Sequence, residues 1–438
     1  MHPKALLDAC AELVRQILKF DHPADAVVSK FFRDHRKTYA FGPRERATLA
    51  ETVYNVLRYK LRYDHFAPSG SGPKERRLAI LGLAQHLQDS APGKPGALDF
   101  LKDALHANER IWLDNCLRIQ TTDLLERHQH NLPEWLVQPL KTQLDQDGGR
   151  EFWSLVDSFQ HSATLDLRVN TFTDKRADVQ KELQLAGIAA EPTPYSPWGL
   201  RILGKPSLTK LDAFARGAIE VQDEGSQLLS LLMDAKRGEM VVDFCAGAGG
   251  KTLALGAAMR STGRLYAFDT SAHRLEALKP RLARSKLSNV HPAAIAHERD
   301  ERIKRLSGKI DRVLVDAPCS GLGTLRRNPD LKWRQSPQAV AELVQKQTAI
   351  LASAARLVKS GGRLVYATCS VLPEENEQIA AAFSAAHPGF KPVPVAGLLE
   401  ELKVANAAHL CTSDGLYLRL WPHRHGTDGF FASVWVAT

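Results

Sequence analysis

Apolar residues in the first third of the chain recur at helical spacing. Between Met1 and Phe20 they are interleaved with Asp8, Glu12, Arg15 and Lys19, a rhythm that predicts an amphipathic helix rather than the apolar centre of a signal peptide. Pro43-Arg44-Glu45-Arg46 opens a second helix, continued by Leu49, Val53, Val56 and Leu57. Ser69-Gly70-Ser71-Gly72-Pro73 reads as a loop, and a further helix follows over Arg77 to Leu87. The pattern stays helical to about Asp147, which predicts a helical domain over residues 1–147.

Near Ser162 the period changes to two. Leu165, Leu167 and Val169 alternate as in a strand, Lys175 to Ala186 reads as a helix, and Gly199 to Leu203 as another strand, so residues 148–233 form a small α+β module. From Val241 onward, short apolar runs (Val241-Val242-Asp243, Leu265 to Phe268, Val313 to Val315, Leu364 to Tyr366) alternate with helical stretches. That alternation predicts an α/β domain over residues 234–438, with a mostly parallel, doubly wound, Rossmann-like sheet that binds ligands at its carboxyl edge. The division into several domains also suits 438 residues, more than one core usually serves.

Composition narrows the class only a little. No apolar run approaches the length of a membrane span. Lys and Arg outnumber Asp and Glu by 58 to 49, a net charge of +9 that favours a polyanionic partner without naming it. Six widely spaced cysteines, none in a C-x-x-C pair, fit reduced thiols in a cytoplasm rather than a disulfide scaffold or a zinc ribbon.

The segment Asp243 to Thr252 follows a strand and opens a helix, and its small residues let a ligand approach the backbone. It is not a phosphate-binding P-loop, because the required first glycine is Cys245. Nor is it a dinucleotide motif, because the third glycine expected after Gly247 and Gly249 is Thr252. A nucleoside-binding loop remains, with Asp269 at the end of the next strand to accept hydrogen bonds from ribose hydroxyls. S-adenosylmethionine suits that pair.

Two cysteines end the following strands, in Asp316-Ala317-Pro318-Cys319-Ser320-Gly321 and in Ala367-Thr368-Cys369-Ser370, so both thiols fall at the cofactor edge. A single such thiol is ordinarily a small buried hydrophobe. Two beside a methyl donor suggest covalent chemistry on cytosine, whose carbon 5 becomes nucleophilic only after a thiolate adds to carbon 6. Lys251 is a candidate for stabilising the thiolate, and Cys319 for the second group that takes the carbon 5 proton. The Asn-Pro-Pro-aromatic turn of exocyclic-amine methyltransferases is absent at Asp316 to Cys319.

These segments resemble the RNA cytosine-C5 methyltransferases of the Sun family. The match runs through Cys245 to Lys251, Asp316 to Gly323, Arg326 to Trp333, Ala367 to Glu377 and Asp428 to Phe431. Val221 to Ser226 is similar to the family's lead into its catalytic domain, and Arg44 to Tyr59 to a helix of the NusB-like domain that fronts the ribosomal enzyme. The resemblance implies a class I methyltransferase domain, a preceding RNA-recognition-like module and a NusB-like front. It implies Cys369 as nucleophile, Cys319 in product release and Asp316 as a contact to both the cytosine edge and the cofactor site. S-adenosylmethionine would be held by Cys245, Ala246, Gly247, Ala248, Gly249, Gly250, Lys251, Asp269 and Asp316. Where the family usually has an acid for the adenine amine, Ala294-Ile295-Ala296 leads into His297, so either a main-chain group, Glu298 or Asp300 substitutes, or cofactor affinity is lower.

The basic stretch Arg326 to Arg334, with Trp333 inside it, is expected on the substrate side, its cations on phosphates and its indole stacked or packed. The expected substrate is RNA, ribosomal first. Transfer RNA, or a non-catalytic role in ribosome assembly, is the alternative. His423-Arg424-His425 lacks partner ligands at metal spacing, so neither a metal nor a membrane partner is expected, and the protein is read as a cytoplasmic monomer.

Overall fold

The helical spacing of the first third becomes a bundle with one core. Helix Pro3–Ile17 starts on a proline that has no N–H to leave unpaired, with the His2 ring accepting from the Lys4 N–H at 3.3 Å. It buries Leu7, Leu13 and Val14 against Leu49, Val53 and Val56 of helix Pro43–Arg58 and Leu78 and Leu83 of helix Lys74–Ser90. This is a computed structural model, and it describes residues 1–39, 41–144, 148–204 and 206–438. The domain boundary expected at Asp147 lies outside the described residues. Two units are present, Met1–Ser162 with Leu325–Ser336, and Ala163–Thr324 with Pro337–Thr438.

The second unit contains two sheets. Strands β1 (Leu165–Val169), β2 (Ala190–Pro192), β3 (Gly199–Ile202) and β4 (Ile219–Val221) form an antiparallel sheet in the order β2-β3-β1-β4. One face buries Leu167, Val169, Leu200 and Ile219 under helix Arg176–Leu185, and the opposite face carries Asp166, Arg168 and Glu220. Arg168 and Glu220 are cross-strand partners.

The larger sheet comprises β5 (Met240–Asp243), β6 (Arg264–Asp269), β7 (Val290–Ala294), β8 (Ile310–Asp316), β9 (Val358–Thr368), β10 (Phe390–Val393), β11 (Leu418–Leu420) and β12 (Phe430–Ala437). Its order is β10-β12-β9-β8-β5-β6-β7, with β11 paired to β12. Strands β5 to β9 are parallel, and β12 runs antiparallel to its neighbours β9, β10 and β11. The chain leaves β5 toward β7 and returns to β8 on the other side of β5, so the strand order reverses between β5 and β8. Ligand crevices of doubly wound sheets open at such a reversal. The carboxyl ends of β5, β6, β8 and β9 deliver Asp243, Asp269, Asp316 and Thr368 to that edge.

Candidate active site

The turn after β5 is shaped for a ligand's approach to its backbone. Gly249 has φ +84°, and a Cβ there would stand 2.2 Å from Leu278 Cδ1, so helix Gly250–Ala258 starts against helix Ala272–Ser285 only with glycine at this position. At Gly247, with φ +55°, a Cβ would meet no protein atom within 4 Å, so open space lies in front of this glycine. Asp269 accepts from the Gly247 N–H at 2.8 Å and from the Ser271 N–H at 2.7 Å, and each carboxylate oxygen keeps a lone pair for a further donor. Asp243 accepts from the Thr252 hydroxyl at 2.6 Å through one oxygen, while its buried Oδ1 has no hydrogen-bond partner in the chain. Burial, only partly opposed by the Thr252 hydroxyl, pushes the Asp243 carboxyl up to about 7. An unpartnered acid and an unfilled glycine cradle fit a nucleoside cofactor bearing donors.

Across the switch point, the loops after β8 and β9 bring Cys319 and Cys369 together, with their sulfurs 3.4 Å apart. The Cys319 thiol is pushed well above its usual range, first by its hydrogen bond to Cys369, then by burial and by the nearby Glu375 carboxylate. Cys319 is therefore held as the neutral thiol. Lys251 reaches the same edge and donates to Asp316 at 2.7 Å, with its ammonium 5.9 Å from the Phe430 ring centroid. Burial works against that charge, but Asp316, and after it Cys369 and Asp243, outweigh it and raise the Lys251 pKa. Cys245 is a neutral thiol, raised above all by burial.

A buried carboxylate unites the two cysteine loops. Glu375, fully buried, accepts from the Ser320 N–H and hydroxyl, from the Ser370 hydroxyl and from Gln347 Nε2. Gln347 also donates to Pro318 O, and Tyr366 donates to the Glu375 carbonyl. Backbone bonds close the arrangement: Gly323 N–H to Cys369 O at 2.8 Å, and Gly429 N–H to Gly323 O at 2.9 Å. A Cβ on Gly323 would lie 2.1 Å from Gly429 O, so three segments meet there only around a glycine. Sequence reasoning passed over Ser320, Ser370, Gln347 and Glu375 as site elements. Glu375 lies in Pro373-Glu374-Glu375-Asn376-Glu377, which by composition resembles a solvated acidic run. Only the serines flanking the cysteines hint that a carboxylate must meet them.

Of the two expectations for the indole in the basic stretch, stacked or packed, the structure shows the second. Leu325–Ser336 belongs to the helical unit, where Trp333 donates to Leu57 O at 2.8 Å and Lys332 to Arg58 O at 2.9 Å. Arg58 in turn donates to Arg326 O, and Asp330 accepts from the Ala24 N–H. Trp333 packs on the helical core, and Lys332 is buried, with its pKa depressed to about 7 by desolvation. The reason is that residues 331–334 form a helical turn whose side chains satisfy the orphan carbonyls at the end of helix Pro43–Arg58. Of the groups considered for the adenine amine, Asp300 accepts from the Ala296 and Arg302 N–H groups, and Glu298 lies 3.7 Å from Arg299. Among the described residues, no group of three or more side chains is arranged to hold a metal, and no helix is long and apolar enough to cross a membrane.

A loop that offers backbone to its ligand at the switch point, with an acid waiting on the neighbouring strand, defines an S-adenosylmethionine-dependent methyltransferase of the Rossmann-like class. Residues 230–435 match the family model for 16S rRNA methyltransferase RsmB/F, and residues 132–209 match that family's ferredoxin-like domain. The chain is 32% identical to the probable ribosomal RNA small subunit methyltransferase B of Synechocystis, covering 96% of each chain. To the Bacillus subtilis protein of the same description it is 30% identical, over 90% of this chain and 91% of that one. The solved structure of PH0851 is 28% identical, superposes with a TM-score of 0.76 and spans 100% of this chain and 99% of that one. The chain belongs to the RsmB/F methyltransferase family.

Proposed function

We propose that this protein transfers a methyl group from S-adenosylmethionine to carbon 5 of a cytosine in small-subunit ribosomal RNA. The observation that carries the chemistry is the 3.4 Å separation of the Cys319 and Cys369 sulfurs at the edge where the cofactor loop opens. The names of the relatives support the ribosomal substrate, and such a substrate implies work in the cytoplasm.

S-adenosylmethionine supplies an electrophilic methyl group. Cys369 acts as the thiolate, with the Lys251 ammonium among its neighbours, and adds to carbon 6, leaving carbon 5 electron-rich. Carbon 5 then takes the methyl, the sulfur–methyl bonding pair staying on the departing cofactor's sulfur. Asp316, bonded to Lys251, has lone pairs left for the cytosine amine. Adduct formation removes the Cys369 partner that most strongly holds the proton on Cys319. Cys319 then loses that proton to solvent and accepts the carbon 5 proton. The carbon 5 bonding pair restores the ring double bond as the bond from carbon 6 to Cys369 breaks. The loop Cys245 to Lys251, with Asp269 and Asp316, holds the cofactor. No metal is needed in this scheme, and one copy of the chain carries every group it uses.

The test is incubation of the protein with tritiated-methyl cofactor and either unmodified 16S rRNA or bulk transfer RNA, with sites read as 5-methylcytosine. Incorporation into a defined 16S cytosine supports the reading. Incorporation into transfer RNA alone overturns the substrate, and RNA binding without incorporation overturns the chemistry in favour of an assembly role.

A further inference from the structure

The cofactor loop is braced from outside the methyltransferase sheet. Arg281, on helix Ala272–Ser285, donates to Ala248 O in the middle of the loop at 2.5 Å. Its other nitrogens donate to Glu220 Oε2 at 3.1 and 2.9 Å, and Glu220 belongs to β4 of the ferredoxin-like sheet. The second Glu220 oxygen accepts from Arg284 at 3.2 and 2.5 Å. Glu220 thus takes two forked guanidiniums, an arrangement that fixes planar groups in orientation as well as distance. The same module is hydrogen-bonded to the end of that helix, where Asn170 donates to Ser285 O at 3.0 Å. Beneath the loop, fully buried Arg168 donates to Gln222 at 2.6 Å and lies 3.5 Å from Gly250 O.

We propose that Arg281 is a positioning residue for the cofactor loop, holding Ala248 in its binding conformation while Glu220 of the small module holds Arg281. A loop rich in glycine loses more backbone freedom on ordering than other chains do, so an external brace lowers the entropy lost when the cofactor binds. The module that abuts this loop therefore contributes to cofactor affinity through Glu220, which touches no cofactor. By linkage, loss of the Glu220–Arg281 pair lowers that affinity, and cofactor binding stiffens the module's β4 in return.

Calorimetric titration of the full-length protein with S-adenosylhomocysteine separates bracing from plain stability. Arg281→Ala is expected to raise the Kd about tenfold and Glu220→Gln several-fold, the loss of one charge-assisted contact. Arg281→Lys, which still reaches one acceptor, recovers part of the loss. Arg284→Ala removes a Glu220 partner of the same kind without touching the loop, and is expected to leave the Kd within about twofold of wild type. In turnover, Arg281→Ala raises the KM for S-adenosylmethionine and leaves kcat at saturating cofactor nearly unchanged. Unchanged affinity in Arg281→Ala and Glu220→Gln overturns the proposal. Equal losses in Arg281→Ala and Arg284→Ala also overturn it, since the effect is then general destabilisation.

Discussion

Glu375 accepts two hydrogen bonds from Ser320, one from its N–H at 2.8 Å and one from its hydroxyl at 2.5 Å. Ser320 follows Cys319 directly, and Glu375 sits in the turn that follows Cys369, so this carboxylate sets the register of the two thiol-bearing loops. Glu375→Ala strands the Ser320, Ser370 and Gln347 donors in a dry site, and unfolding in urea is expected to need about 3 kcal/mol less. Methyl transfer should fall more than tenfold at temperatures where the variant is folded. Glu375→Gln keeps an acceptor for the Ser320 N–H and should recover much of both. A fully active Glu375→Ala protein would remove the carboxylate from this role.

The two thiols predict opposite phenotypes. Cys369→Ala should abolish methyl transfer and bind S-adenosylhomocysteine as wild type does. Cys319→Ala should still form the bond to carbon 6 but fail to resolve it, so that denaturing gels show protein linked to RNA. If both variants release free methylated RNA, the division of labour between them is wrong.

Asp243 gives a pH dependence with a defined sign. Burial raises its carboxyl to about 7, whereas an unfolded aspartate titrates near 3.9. Between roughly pH 4 and 7 the folded chain holds a proton that the unfolded chain has released, so this contribution to stability is complete below about pH 4 and is lost as the pH rises toward 7. Asp243→Asn keeps an acceptor for the Thr252 hydroxyl and abolishes the titration. Its denaturation midpoint relative to wild type should rise from pH 4 to 8, an advantage of about 2–4 kcal/mol at the upper end. Parallel stability curves for the two proteins would count against a titrating Asp243.

Trp333 separates packing from RNA stacking. Because its indole donates to Leu57 O and packs on the helical core, Trp333→Ala should cost about 2–3 kcal/mol of stability. RNA affinity under folding conditions should change by less than about threefold, whereas loss of a stacked base costs 1–3 kcal/mol, roughly five- to a hundredfold. A large loss of affinity with unchanged stability would return the indole to the substrate.

The parallel strands and the cysteine edge were legible in the sequence because each strand end carries its own local signal: a small-residue turn at Cys245 to Gly250, a proline turn at Ala317-Pro318, a thiol at Cys369. The antiparallel pairings of β12 with β9, β10 and β11 were not, because pairing such as Phe431 with Thr368 joins residues far apart in the chain and leaves no short-range period to read. For a related reason the sequence left open whether Trp333 stacks or packs. Arg326 to Arg334 has the composition of an exposed basic loop, and only the carbonyls of Leu57 and Arg58 explain why its lysine and indole turn inward. The Glu375 hub was hidden because an acidic run is as easily buried around serines as bathed in water.

Gly429 and β12, which lean on Gly323 and Thr368, come after both cysteines in the chain. A nascent chain made only as far as Cys369 therefore lacks one wall of the thiol pocket. Chemistry must wait until β12 has been made and has paired with β9, so a copy still short of that strand cannot modify RNA.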